Sequence, residues 1–306
     1  MNLFHKKDQY QGYNIYSMKK YVDKKRIIFT TIIVILIIIT LGFIIYYSVD
    51  TTIRLKNAKR FEKKLIEYES KQEELQKQER ERQAKIPKLT DEGKQNIKGI
   101  YKSETKRVFL TFDDGPSVNT ADVLDILKSN DIKATFFVLG TQVEKMPEMV
   151  KRAYQEGHYI ANHGYSHQYS QIYSSPETVL QEFNQCNSAV AKAIDVPEYN
   201  SHLFRFPGGS VGGKYANLKA EAVTLLEQNN IMHVDWNALT GDAEKSSPDE
   251  EYLMNNLQKT TQNKNSIVIL MHDAQAKRVT VEFLPKLIEF FQQQGYQFEN
   301  FYSIIK

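Results

Sequence analysis

The sequence predicts an α/β domain, a distorted, closed or nearly closed (β/α) barrel, carried behind a single transmembrane helix and a helical stalk. Three observations predict it. Residues 27–47 form an unbroken apolar run. Residues 51–86 are dominated by Lys, Glu, Gln and Arg, with neither Gly nor Pro before Pro87. From Arg107 to the last residue, short apolar runs alternate with amphipathic ones, the pattern of parallel strands joined by helices.

Charge and cysteine content exclude some classes. The net charge of +3 is unevenly placed: residues 1–26 carry seven Lys/Arg against Asp8 and Asp23, leaving −2 on the remainder. The remainder therefore has no electrostatic footprint for nucleic acid. Cys186 is the only cysteine, so no intrachain disulfide can form, which suits a chain exported to an oxidising space.

The elements follow in order. Residues 1–26 form a basic tail, expected in the cytoplasm by the positive-inside rule. Residues 27–47 carry no charge and as a helix, rising about 1.5 Å per residue, span a bilayer core. Tyr46 and Tyr47 end the run, where amphipathic rings are favoured. A cleaved signal peptide would need a shorter apolar run and a small-residue site, and Tyr-Tyr-Ser-Val-Asp does not offer one. The anchor is therefore expected to stay, with everything beyond residue 48 outside. Residues 48–106 read as helical stalk and then polar linker from Pro87. Ala58, Phe61, Leu65, Tyr68, Gln72 and Leu75 make a faint heptad seam, so self-association through the stalk is expected to be weak.

Residues 107–306 form the main domain. Val108 to Phe112 is a buried strand, stopped by Gly115-Pro116. Helices are expected over 119–129, 147–156, from Pro176 with Ser175 as N-cap, and over 279–294. Strands are expected over 134–139, 158–161, 203–206, 231–236 and 267–271. Ser247-Pro248-Asp249-Glu250 reads as a capping box.

Each polar cluster follows a strand, where barrels gather functional groups. Asp113 and Asp114 end the first strand. Strand alternation points them to opposite faces, so they should do different work. Alone, Asp-Gly is ordinary turn chemistry. His163 and His167 follow the third strand, four residues apart, and one helical turn would place both rings on one side. With one strand-end carboxylate they make a His-His-Asp set, three ligands with an open position as in hydrolytic zinc sites. Arg205 leads a Pro207-Gly208-Gly209 loop and can grip a carboxylate, while the glycines leave backbone N–H groups open to an oxyanion. Asp235, Trp236 and Asp242 follow the fifth strand. His272 follows the sixth and needs a carboxylate partner to act as general acid, Asp242 or Asp235.

These residues resemble the polysaccharide deacetylases of the NodB homology type, carbohydrate esterase family 4, from about Arg107 to the C-terminus. Thr111 to Pro116 matches the first motif, His163-x-x-x-His167 the second, Arg205-x-Pro207 the third, Gly241-Asp242 the fourth and Leu270-x-His272 the fifth. Gly164, Gly208 and Ala243 depart from the residues usual at their positions. The resemblance implies a distorted barrel of the NodB type and a metal-dependent N-deacetylase. It implies that Asp114, His163 and His167 bind a divalent metal, zinc by ligand type, with cobalt, manganese or nickel as alternatives. Asp113 is implied as general base oriented by Arg205, and His272 as general acid with Asp242 beside it. The Gly208 N–H, Leu270 and Trp236 are implied on the substrate side, Leu270 lining the acetyl-methyl pocket. The implied substrate is N-acetylglucosamine of a cell-wall glycan, peptidoglycan first. Other surface glycans, chitin oligomers or O-acetyl groups are alternatives, and a non-catalytic glycan-binding scaffold is disfavoured because ligands, base and acid are all present.

Overall fold

The computed structural model describes residues 15–305; the basic tail up to residue 14 lies outside it. The chain divides into two units, Met1–Gln78 and Glu79–Lys306. In the first, a single helix, α1 (Ile15–Ala84, which runs on into the second unit), carries the whole apolar run and the charged stretch after it. By length and composition it is the one helix among the described residues able to cross a membrane. Residues 51–78 of α1 are almost uniformly exposed, as a helix polar on all sides should be.

The second unit begins earlier than the linker reading placed it. Pro87 to Lys106 contains a helix, α2 (Asp91–Lys98), whose N-cap Thr90 accepts a hydrogen bond from the Gly93 N–H at 3.1 Å. Ile97 and Ile100 are fully buried in the domain. At about 1.5–3 kcal/mol for each such side chain, this burial makes the segment part of the domain. Polar composition hid it, because Leu89, Ile97 and Ile100 are the few apolar side chains that pack inward among many polar ones.

The domain alternates strands and helices as the sequence pattern requires: β1 (Arg107–Asp113), α3 (Thr120–Ser129), β2 (Thr135–Val138), α4 (Gly140–Lys145), α5 (Pro147–Gln155), β3 (Tyr159–Asn162), α6 (Tyr169–Ile172), α7 (Pro176–Ile194), β4 (Leu203–Phe204), α8 (Ala216–Gln228), β5 (Met232–His233), β6 (Ala238–Leu239), α9 (Glu250–Thr261), β7 (Ser266–His272), α10 (Arg278–Gln293) and β8 (Gln297–Glu299). All strand pairs are parallel, in the order β5-β4-β3-β2-β1-β7-β6. β8 joins β1 over Arg107–Phe109, below the part of β1 that pairs with β2. β5 and β6 do not pair, so the curled sheet stays open between them.

Capping chemistry sets several boundaries. Ser175 caps α7, accepting from the Thr178 N–H, with Pro176 at the first helical position, as expected. The capping box at Ser247 is corrected: α9 starts at Glu250, and Asp249 is the N-cap, accepting from the Tyr252 N–H at 2.9 Å. A carboxylate one residue before the helix satisfies that donor directly, so Ser247 is not needed.

Period-two alternation sorts the core. Val108, Leu110 and Phe112 of β1 face the helices, packed with Leu124, Leu284 and Leu287. Phe109 of β1, Phe137 of β2, Tyr159 and Ala161 of β3, Leu203 of β4 and Val268 of β7 fill the inside of the curl. Ile97, Ile100, Phe301 and Ile305 also join that inner cluster. On β1, β3, β4 and β7 the inward series continues upward in sequence to Asp113, His163, Arg205 and His272. The site is thus the top layer of the barrel interior.

Candidate active site

Arg205 anchors the layer. It is completely buried, and its Nη1 donates to Asp113 Oδ1 at 2.8 Å and Thr111 Oγ1 at 2.7 Å. Nε and Nη2 donate to the Val234 and Asp235 carbonyls, and the guanidinium lies 3.9 Å from the Phe137 ring centroid. Every face of this buried cation is therefore compensated. Asp113 is 2% exposed, and burial pushes its carboxyl up while Arg205 pulls it back. Its second oxygen, Oδ2, stands 3.8 Å from His163 Nε2.

Strand alternation alone would have sent Asp114 outward. Its φ of +72° turns the chain back, and Oδ1 comes within 3.5 Å of His163 Nε2 and 3.4 Å of His167 Nε2. Gly115 follows because a Cβ there would stand 2.3 Å from the Asp273 carboxylate. Asp273 is buried, accepts from Thr120 Oγ1 at 2.6 Å, and is pushed up to about 7 by burial.

The two histidines meet without the helical turn expected of their spacing. Residues 163–168 are a loop in which Gly164 (φ +91°) and His167 (φ +58°) are left-handed, and the rings come to 5.4 Å. Left-handed residues reverse the chain more sharply than a helix can. Glu182 of α7, buried, holds this loop by accepting from the Tyr165 and Ser166 N–H groups and from Ser166 Oγ, at 2.6–2.7 Å. Nothing in the sequence marked Glu182, whose role depends on α7 packing against the loop.

The Asp114, His163 and His167 ligand atoms all lie within 4.8 Å of one another. Asp114 Oδ1 is buried and has no hydrogen-bond partner. His163 Nδ1 sits 2.8 Å from the Arg205 carbonyl, which only an N–H can satisfy, leaving the Nε2 lone pair toward Asp114. Burial pushes His163 down to about 3, so it stays neutral. An orphaned carboxylate oxygen and two imidazoles fit a divalent cation.

On the other side of Asp113, His272 Nδ1 lies 3.0 Å from Asp242 Oδ1. Asp242 Oδ2 accepts from the His272 N–H at 2.8 Å and Thr280 Oγ1 at 2.7 Å. Burial works against a charged imidazole, but the Asp242 hydrogen bond and charge outweigh it and raise His272 to about 9. Asp235, the other carboxylate considered for this place, instead accepts from the Ser210 N–H and hydroxyl and so braces the glycine loop. Gly208 has φ +74°, and its N–H has no partner among the described residues. Trp236 lies beside that loop, 3.4 Å from where a Cβ on Gly209 would stand. Leu270 faces inward one alternation below His272, paired in register with Thr111. Cavity size does not mark the site: grooves of about 690 Å³ along α7 and about 910 Å³ near the start of β7 are both lined by other residues.

Comparison with known proteins agrees with this fold. The family model for polysaccharide deacetylase matches residues 101–225. The Bacillus subtilis protein YheN is 36% identical over 198 residues, covering 63% of this chain and 66% of that protein. A Bacillus cereus peptidoglycan-N-acetylglucosamine deacetylase is 33% identical over 205 residues, covering 65% of this chain and 71% of the relative. Among solved structures, a Streptococcus mutans CE4 esterase superposes with a TM-score of 0.63 at 29% identity, covering 71% of this chain and 93% of that one. The curled parallel sheet and this coverage of its relatives agree, and the chain belongs to the polysaccharide deacetylase family.

Proposed function

We propose that this protein is a membrane-anchored N-deacetylase acting on N-acetylglucosamine residues of peptidoglycan. The observation that carries the chemistry is the top layer of the barrel: an Asp-His-His cluster with an orphaned oxygen, flanked by one carboxylate held by arginine and one imidazole held by carboxylate. The peptidoglycan reading draws on the names of the Bacillus cereus relative and of a structurally similar Eubacterium rectale catalytic domain, 31% identical with a TM-score of 0.59.

Asp114, His163 and His167 would hold a divalent cation, zinc by donor type. Such a cation supplies Lewis-acid polarisation of the acetyl carbonyl and makes a water easier to deprotonate. Asp113 accepts the water's proton at Oδ2, while Arg205 fixes Oδ1 and so the orientation of the group. The Gly208 N–H faces charge developing on the acetyl oxygen. His272 gives its Nε2 proton to the departing amine, and Asp242 keeps it charged until then. Acetate release from peptidoglycan, with an O-acetylated sugar and a chitin oligomer alongside, tests this reading; a preference for the O-acetyl ester or for the chitin oligomer would overturn it.

His272 must enter the cycle protonated. Asp242→Asn removes the main influence that raises its pKa, while the burial that lowers it remains. The alkaline limb of the pH–rate profile should therefore move to lower pH in Asp242→Asn. An unmoved limb would mean that another group is the acid.

Residues 27–47 serve as the anchor in this reading, with residues 1–26 cytoplasmic and the stalk holding the catalytic domain outside, toward the wall. Mature protein should fractionate with membranes and keep residues 27–47. A released form beginning just after residue 48 would contradict this. The seam on α1 supports at most weak self-association.

A further inference from the structure

We propose that the Tyr169 hydroxyl is a second hydrogen-bond donor to the acetyl oxygen, acting beside the Gly208 N–H; this rests on the deacetylase reading above. Tyr169 opens α6, two residues after His167, and its ring lies 5.6 Å from the His167 ring. It also lies 5.7 Å from the Tyr173 ring, and the Tyr173 hydroxyl donates to the Pro207 carbonyl at 2.7 Å. Tyr169 is thereby tied both to the metal-ligand loop and to the glycine loop. A Cβ built on Gly208 would stand 2.9 Å from the Tyr169 hydroxyl oxygen. The phenol oxygen thus occupies the space a side chain at 208 would take. Neither this hydroxyl nor the Gly208 N–H has a hydrogen-bond partner among the described residues. Tyr169 is 44% exposed, so its hydroxyl is reachable from solvent.

A free phenol O–H beside Gly208, on a ring packed against His167, and a free Gly208 N–H suit a single oxygen whose charge grows during reaction. Such donors strengthen their bonds as the tetrahedral state forms, so their loss falls on kcat more than on KM. A tyrosine present only for packing would lose nothing on becoming phenylalanine, since the ring contacts remain.

Tyr169→Phe in the full-length, zinc-loaded protein tests this. On an N-acetylglucosamine oligomer, kcat should fall on the order of 10²-fold, the scale of one lost oxyanion donor, with KM nearly unchanged and full metal content. An unchanged kcat would overturn the assignment. So would a raised KM with kcat intact, which would make the hydroxyl a sugar contact. A second measurement needs no turnover: acetate affinity by calorimetry should drop about tenfold, a lost hydrogen bond to a charged group. Equal acetate affinity in the two proteins would also overturn it. Wild-type protein silent on N-acetylated sugars, yet with tyrosine-dependent acetate binding, would sink the N-deacetylase reading while leaving the hydroxyl as a donor to an acetyl-group oxygen at this site. Gly208→Ala adds a check on placement. Its new methyl meets the hydroxyl, so Tyr169→Phe in that background should cost no further activity; a full additive loss would place the hydroxyl elsewhere.

Discussion

Asp113→Asn is expected to keep its metal and to lose turnover by about 10²–10⁴-fold, the usual contribution of a positioned base. Asp114→Asn is expected to lose the metal itself, because a neutral amide is a poor ligand for a hard or borderline divalent cation. The two residues are adjacent, yet the geometry separates them. Asp113 has one oxygen fixed by Arg205 at 2.8 Å and is held among buried groups. Asp114 has an oxygen with no protein partner, between two imidazoles. Metal content measured beside steady-state kinetics on both variants decides the matter. If Asp113→Asn turned over near the wild-type rate, or lost metal while Asp114→Asn kept it, the division of labour would be wrong. The loss in Asp113→Asn should appear in kcat, since substrate binding does not need the proton acceptor.

His163→Ala and His167→Ala are each expected to weaken metal retention severely and, with it, activity. Removing one of three protein ligands leaves two, and affinity depends on the full set. The effect should be larger for His163. Its ring is buried and its tautomer is fixed by the Arg205 carbonyl, so it is the more firmly positioned of the two. His167, with about a third of its side chain exposed, leaves room for a water as substitute ligand. Elemental analysis of the purified variants, followed by back-titration with zinc, measures both effects. Stoichiometric metal in either variant would remove that histidine from the ligand set.

Much of the site was legible because barrels place their polar residues at strand ends, and sequence shows where apolar strands stop. The five clusters, the long apolar helix and the order of elements all follow from hydrophobic periodicity and turn residues. The inward series through Asp113, His163, Arg205 and His272 is also written in the alternation along each strand. Three features were not local enough to read. Asp114 joins His163 and His167 only because its backbone is left-handed, which reverses the direction that alternation assigns. His163 and His167 converge through a loop with two left-handed residues, held from α7 by Glu182 across 16 to 17 residues of sequence. The choice of Asp242 over Asp235 beside His272 turns on which carboxylate the β7 end reaches, and Asp235 is already engaged by Ser210. Sequence by itself determined which residue types end each strand, since burial and alternation are properties of the chain within a few residues. Tertiary structure alone decided which of those residues share an atom-to-atom contact, because left-handed turns and helix packing bring together groups whose separation along the chain carries no periodic signal.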